Sequence, residues 1–146
     1  MLTHTPLHAA RNLRPWNQRD ELWRAFHRTG GLATGDQLAA VMRHRVAQPI
    51  SLLARWIVTR QIVIVPCEGQ TLVPLFQLQP GLASVRAGIP ALVHELGTVF
   101  NDWELAQWFA RGNSCLGGAT PAECIGSDLP GVWQAARTDR YIAAGL

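Results

Sequence analysis

With 146 residues, the chain forms one domain or two small ones and can bury roughly two-thirds of its unfolded surface. Apolar residues make up 48% of it and charged residues 16%, which excludes an intrinsically disordered protein. No apolar run approaches the roughly 18 residues of a membrane-spanning helix, and residues 1–16 lack the continuous apolar region of a secretory signal. Cys67, Cys115 and Cys124 are an odd number at unrelated spacings, which favours the reducing cytoplasm over a disulfide framework.

Positive charge is concentrated in the first half of the chain. All thirteen cationic residues are arginines, and nine precede residue 61, where only three acids, Asp20, Glu21 and Asp36, oppose them, for a net charge of +6. The remainder has four arginines against seven acids, a net charge of −3. A basic half joined to an acidic half predicts two different partners, one of them a polyanion. The alternative is that these arginines are solvated faces of helices.

Three helices are predicted in the first half. Residues 1–15 lack periodicity and are expected to lie along the surface or to fray. A helix capped by Asn17 runs to about Arg28, a capping-box pattern at Thr34 opens the second, and Pro49 stands at the first position of the third. The side chains expected to face inward are Leu22, Trp23 and Phe26, then Leu38, Val41 and Met42, then Leu52, Leu53, Trp56 and Ile57.

A β-hairpin is predicted directly after the third helix. The segment Ile62-Val63-Ile64-Val65 is β-branched throughout and too short for a helix, so we expect it to be the first strand. Glu68-Gly69 makes the turn, and residues 71–78 return as the second strand, with Pro74 requiring an edge position or a bulge because it lacks an N–H. Three helices followed by a hairpin outline a winged helix-turn-helix, whose recognition helix would span about Pro49 to Arg60.

The predicted contacts with duplex DNA lie on and beside this third helix. They are Arg43, Arg45, Gln48, Ser51, Arg55 and Arg60. Contact with phosphates is the least demanding part of this prediction, since it depends mainly on charge and little on the exact placement of the helix. A recognition helix usually meets base edges with polar residues at its N-terminal end, whereas Pro49 and Ile50 occupy those positions here. An adaptor domain that packs or dimerises without entering a groove is therefore the alternative.

The second half is predicted to be an all-helical bundle, which makes the fold class mainly α with a small β-hairpin. Pro80-Gly81 interrupts the pattern, so we expect a boundary at about residues 79–88 that separates domains 1–80 and 81–146. One helix is predicted to begin at Pro90, and three more are predicted to be capped by Asp102, Thr120 and Asp128. Trp103, Trp108 and Trp133 are expected core or interface anchors, and six tryptophans in the chain favour a homodimer.

The segment from Trp108 to Ile125 contains a helix end, a glycine-bearing loop and a helix start. Gly112 stands where a helix ends by placing a residue with φ > 0. Thr120-Pro121-Ala122-Glu123 has the pattern of a capping box with proline at its first helical position. Leu116 is a lone large apolar side chain in the loop, and we expect it to return to the core.

The residues of this segment resemble the toxin-binding domain of the Xre/MbcA/ParS type of antitoxin. The matching features are Trp108, Asn113, Leu116-Gly117-Gly118, Pro121 and Ala144-Gly145, within residues 89–146. The resemblance implies a type II antitoxin whose C-terminal domain occludes the active site of a partner toxin, commonly of the RES type, while the complex represses its own promoter. Many members carry a compact multi-helix DNA-binding domain, whereas a hairpin follows the third helix here. The alternative is an ordinary helix-loop-helix with good caps.

We predict that the partner protein contacts Trp108, Arg111, Asn113 and Leu116. Arg111 and Asn113 stand at the helix end and in the loop, and their side chains are expected to reach outward. Two hypotheses on function follow. The chain is either a non-enzymatic cytoplasmic regulator that binds DNA and a toxin, or a stand-alone interaction module that self-associates and binds no nucleic acid.

Motifs of enzymes, metal sites and cofactor sites are not recognised in the sequence. Cys115 and Cys124 have no nearby His pair to complete a zinc site, and Leu116-Gly117-Gly118 lacks the pattern of a phosphate-binding loop. The five histidines stand beside no known nucleophile motif. We therefore predict no catalytic residue, no metal ligand, no cofactor and no membrane partner. The enzymatic alternative, a Cys124 nucleophile paired with His94, competes with a buried structural cysteine in the first turn of a helix.

Overall fold

The structure, a computed structural model, describes residues 20–145 and has the predicted fold class, mainly helical with a small antiparallel sheet. Its helices are residues 20–27 (α1), Gly35–Met42 (α2), Pro49–Val58 (α3), Ile89–Leu96 (α4), Asp102–Ala110 (α5), Pro121–Cys124 (α6) and Leu129–Ala143 (α7). Its strands are Leu32–Thr34 (β1), Val65–Cys67 (β2) and Gln70–Pro74 (β3), and short 3₁₀ turns lie at Leu75–Gln77 and Ser114–Leu116. The predictions for residues 1–15 and for the Asn17 cap fall outside the described residues.

The first half has the element order of a winged helix-turn-helix, α1-β1-α2-α3-β2-β3. The strand β3 lies in the middle of the sheet and is antiparallel to both neighbours, with Leu32 of β1 opposite Pro74 and Val65 of β2 opposite Leu72. The predicted Glu68-Gly69 turn joins β2 to β3, and both of its residues have positive φ, as a tight hairpin turn requires.

Three details of the predicted hairpin are wrong. Its return strand was predicted over residues 71–78 but ends at Pro74, where the chain turns into the 3₁₀ segment Leu75–Gln77. Its first strand does not begin at Ile62, because the buried side chain of Gln77 occupies both polar backbone groups of Val63. The Gln77 Oε1 accepts from the Val63 N–H at 2.7 Å, and its Nε2 donates to the Val63 C=O at 2.8 Å. Pro74 lies neither in an edge strand nor at a bulge. It is the last residue of the central strand, and the N–H of Leu75 continues the pairing by donating to a carbonyl just before β1.

Two side chains that were predicted to face inward lie on the surface. Trp23 keeps 51% of its accessible surface and Val41 keeps 50%. The buried large side chains are Leu22 and Phe26 in α1 and Leu38 and Met42 in α2. Each of these short helices thus buries only a narrow stripe of side chains. Trp23 lies outside the stripe of α1, and Val41 lies outside that of α2.

The second half is helical, and most of its helices begin as predicted. Thr120 opens α6 in a reciprocal capping box, and Asp128 caps α7 with a hydrogen bond of 3.0 Å from a backbone N–H. The cap of α5 is Asn101 and not Asp102. The reason is that the Asn101 side chain accepts from the Glu104 N–H while the Glu104 carboxylate accepts from the Asn101 N–H, each at 2.9 Å.

An apolar cluster runs through both halves. At its centre the ring of Phe76 lies 5.6 Å from that of Phe26 and 5.1 Å from that of Phe109. Other buried members are Leu22, Val65, Leu72, Leu92, Leu96, Leu105 and Val132. A second cluster attaches α2 and α3 to the sheet through Leu38, Met42, Leu53, Trp56, Val73 and Leu78. The division into residues 1–80 and 81–146 stays a prediction, and the two parts share one core.

Candidate functional site

The predicted DNA contacts surround α3 and are all exposed. In chain order they are Arg43 and Arg45 after α2, Gln48 before α3, Ser51 and Arg55 on α3, and Arg60 after it. Among residues 20–145, Arg43, Arg45 and Arg55 form no ion pair with a carboxylate. Three guanidinium groups near one helix are therefore available to a polyanion.

Arg60 connects the two halves of the protein. It follows the end of α3 with a positive φ of 56°, and its guanidinium lies 3.7 Å from the carboxylate of Asp102 at the start of α5. Both side chains are partly exposed, so this ion pair contributes about 0–1 kcal/mol to stability. Arg60 differs from the other three arginines because a DNA phosphate would have to compete with Asp102 for it.

An apolar stripe shares the surface of α3 with these charges. Ile50, Ala54 and Val58 are all exposed, Ile50 by 64% and Val58 by 79% of its surface. Residues four positions apart lie on the same face of a helix, so the three side chains form a continuous strip. Such a face offers methyl groups beside cations, which suits either thymine methyls in a DNA groove or the apolar patch of another protein.

The hairpin that corresponds to a wing carries no positive charge. Between Val65 and Pro74 the only charged residue is Glu68, which lies in the turn and is exposed. A wing that contacts DNA phosphates needs donors or cations at its tip. Within residues 20–80, the arginines therefore lie on or beside the helices and not on the hairpin.

Three of the four predicted partner contacts line one cleft. Trp108, Arg111 and Asn113 border a cavity of about 370 Å³ between the end of α5, the loop that follows and α7. Its other lining residues are Phe100, Glu104, Gln107, Gly112 and Asp139. Leu116 lies elsewhere: it is half-buried and packs against the main core, as expected for the lone large apolar side chain of the loop.

A carboxylate that sequence reasoning missed organises this cleft. Asp139 of α7 is half-buried and accepts a hydrogen bond from the indole N–H of Trp108 at 2.7 Å. The same oxygen, Oδ2, accepts a second bond from the side-chain amide of Asn113 at 2.9 Å. Hydrogen bonds to an ionised group are about twice as strong as neutral ones. Together these two bonds hold the Trp108 ring and the loop against α7.

The expectation that the Asn113 side chain points outward is wrong, because that side chain ties the loop together. Asn113 keeps only 9% of its accessible surface. Besides donating to Asp139, it accepts at Oδ1 from the Cys115 N–H at 3.0 Å, and its own N–H donates to the Ala119 carbonyl at 2.9 Å. An amide suits this position because it donates and accepts at once. Arg111, by contrast, is exposed as predicted.

Gly112 has a different role from the one predicted. It is not among the residues of positive φ, and the chain instead leaves α5 through Arg111, the residue after the helix, in an extended conformation. A Cβ at Gly112 would lie 2.6 Å from the Gly118 carbonyl oxygen. Glycine is therefore needed here because the two arms of the loop approach each other closely.

Two titratable groups near α6 have shifted pKa values. The Thr120 backbone N–H that bonds to the Glu123 carboxylate holds the pKa of Glu123 below its usual range, with the Thr120 side chain adding to the effect. Burial raises the pKa of the Cys124 thiol, and the charges of Asp128 and Glu123 raise it further. A raised pKa disfavours the thiolate, so Cys124 lacks the usual property of an activated nucleophile.

Within the part of the chain that the structure describes, no group of three His, Cys, Asp or Glu residues could hold a metal ion. None of its helices is long and apolar enough to cross a membrane. Comparison with protein-family models, curated proteins and solved structures gives no match.

Proposed function

We propose that the protein is a non-enzymatic cytoplasmic regulator of the antitoxin type. Its winged-helix half binds duplex DNA, and its C-terminal helical half binds a partner protein, which the resemblance of residues 89–146 suggests is a RES-type toxin. The observation that carries the DNA part is the exposed helix α3 with Arg43, Arg45 and Arg55 unpaired around it. Two copies joined in a homodimer would present two such helices to two half-sites of an operator.

DNA binding is tested by fluorescence anisotropy with a labelled duplex at about 50 mM and about 200 mM salt. We expect affinity to fall steeply with salt, because each neutralised phosphate releases counterions. Arg55→Ala should weaken binding to all sequences and reduce the salt slope by about 1. Arg137→Ala is the matched control, since it removes the same charge from an exposed position on α7. Absence of binding at about 50 mM salt, or binding insensitive to salt, would remove the DNA part of the proposal.

The partner part is tested by capture from the native host followed by mass spectrometry. The expected result is one stoichiometric partner encoded by a neighbouring reading frame. Light scattering at micromolar concentration tests the homodimer, and a monomeric mass would contradict it. The DNA part and the partner part of the proposal can fail independently, because DNA binding and partner capture are separate assays that involve different surfaces of the protein.

A second function is favoured by the apolar stripe on α3. Ile50, Ala54 and Val58 would suit packing against another protein surface, and Asp102 competes with DNA for Arg60, one of the predicted contacts. In this alternative the chain is an interaction module that self-associates and binds no nucleic acid. Ile50→Asp separates the two, since it should abolish self-association only if α3 forms the contact between copies.

A further inference from the structure

The cleft beside Trp108 carries an unbalanced negative charge in an aromatic setting. Asp139 and Glu104 line it as acids, and Arg111 lines it as the one cation among the described residues. Arg111 nevertheless forms no ion pair with either acid. The half-buried carboxylate of Asp139 is therefore stabilised by hydrogen bonds from neutral donors and keeps its negative charge, although a cationic side chain stands at the edge of the same cavity.

The hydrogen bonds of Asp139 leave one of its oxygens open. Both donors, the Trp108 indole and the Asn113 amide, bond to Oδ2, at 2.7 and 2.9 Å. Within residues 20–145, Oδ1 accepts no hydrogen bond. The carboxylate is thus fixed in orientation by two donors while its second oxygen retains full capacity as an acceptor. A preorganised acceptor of this kind binds a cation without first losing conformational freedom.

We propose that this cleft receives the guanidinium of an arginine side chain from the partner protein. Trp108 and Phe100 supply aromatic walls, on which a planar guanidinium stacks favourably. The guanidinium can donate to Oδ1 of Asp139 at the same time, because its donors are spread in a plane. The cavity of about 370 Å³ is large enough for one such side chain. An ammonium group is more strongly hydrated and stacks less well, which favours arginine over lysine.

The identity of the occupant follows from where the cleft lies and from its charge. The inference rests on the proposed function, since three predicted partner contacts, Trp108, Arg111 and Asn113, meet at this cavity. The C-terminal half is acidic, with four arginines against six acids from residue 81 onward, so it attracts a basic partner surface. The exposed Arg111 at the edge would repel the incoming guanidinium slightly and so limit the directions from which it can enter the cleft.

The proposal is tested on the isolated protein with N-acetyl-arginine amide as the probe and the citrulline analogue as its neutral match. Binding is followed in NMR spectra through the Trp108 indole N–H and the Asn113 side-chain amide. We expect the arginine compound to shift both peaks in a saturable way. The citrulline compound should bind at least about tenfold more weakly, as expected when a charge-assisted hydrogen bond is lost.

Three variants sharpen the result. Asp139→Asn should remove binding of the arginine compound, while keeping an oxygen that can accept from Trp108. Asp128→Asn is the matched control: it makes the same change at the cap of α7, where asparagine also caps well, and should bind as the original chain does. Arg111→Ala should tighten binding roughly two- to threefold by removing repulsion, which keeps the proposal testable if Asp139→Asn does not fold.

Several outcomes would overturn the proposal. Equal shifts by the arginine and citrulline compounds, or unchanged binding in Asp139→Asn, would mean that the cleft does not recognise the positive charge of the ligand. Shifts of the same peaks with protein concentration alone would place a second copy of this chain in the cleft. A partner captured from the host equally well by the original chain and by Asp139→Asn would leave the proposed function standing and reject this cleft as its site.

Discussion

Removing the Asn113 amide should destabilise the protein through the loop between α5 and α6. Asn113→Ala deletes the bond to the Asp139 carboxylate at 2.9 Å and the bond from the Cys115 N–H at 3.0 Å. The first is a bond to a charged group, worth about 1.5–3 kcal/mol, and the second is neutral, worth about 0.5–1.5 kcal/mol. Cys115 is exposed, so water can replace part of the second loss. The expected cost is about 3 kcal/mol of unfolding free energy.

The assay is thermal and urea unfolding followed by far-UV circular dichroism. For a chain of this size, about 3 kcal/mol corresponds to a fall in melting temperature of roughly 6–12 °C. Ser114→Ala is the matched control next in the chain, because Ser114 is exposed and should change stability by less than about 0.5 kcal/mol. A double-mutant cycle of Asn113→Ala with Asp139→Ala should show coupling above about 0.5 kcal/mol.

Two results would refute this reasoning about Asn113. Melting of Asn113→Ala within error of the original chain would mean that the loop closes without the amide. Strict additivity with Asp139→Ala would mean that the 2.9 Å bond contributes nothing. Partner capture measured on the same sample answers a separate question. A destabilised protein that still captures its partner would assign Asn113 to folding alone and remove it from the binding surface.

Three further predictions concern other parts of the molecule. Gln77→Leu should lower the unfolding free energy by at least about 3 kcal/mol, because it leaves the N–H and C=O of Val63 buried without partners, and urea denaturation measures this. The pKa of Glu123 is lowered in the folded state, so its ionised form stabilises the fold above its usual pKa, and that contribution disappears as pH falls through the lowered value. The stability difference between the original chain and Glu123→Gln should therefore shrink between about pH 7 and about pH 3; a constant difference would contradict it. Iodoacetamide should alkylate the exposed Cys115 before Cys124, whose thiol pKa burial raises, and the reverse order by mass spectrometry would contradict this.

Features that depend on neighbouring residues could be predicted from the sequence. The capping boxes at Thr34 and Thr120 each bond within three residues, so the pattern of side chains reveals them directly. The Glu68-Gly69 turn is local in the same way. The cap of α5 was misplaced by one residue, because Asn101 and Asp102 are both good caps and only the Glu104 pairing distinguishes them.

Features that depend on distant residues could not be predicted. The strand β1 is three residues long, and its partner β3 lies far along the chain, so no periodic pattern marks it. The Gln77 side chain bonds to the N–H and C=O of Val63 as a neighbouring strand would. Strand propensity describes local preferences and does not predict such a long-range contact. Asp139 was overlooked in the candidate site for the same reason, since its donors, Trp108 and Asn113, precede it by 31 and 26 residues.

The shared core also sets the order in which the chain can fold as it is synthesised. Leu22 and Phe26 of α1 emerge early, yet members of their cluster, Leu105 to Val132, are made much later. At about 5–20 residues per second, the roughly 110 residues from Leu22 to Val132 take on the order of 5–20 s to appear. During that interval the apolar face of α1 has no finished core to enter. The N-terminal half therefore completes its packing only after most of the C-terminal half has left the ribosome.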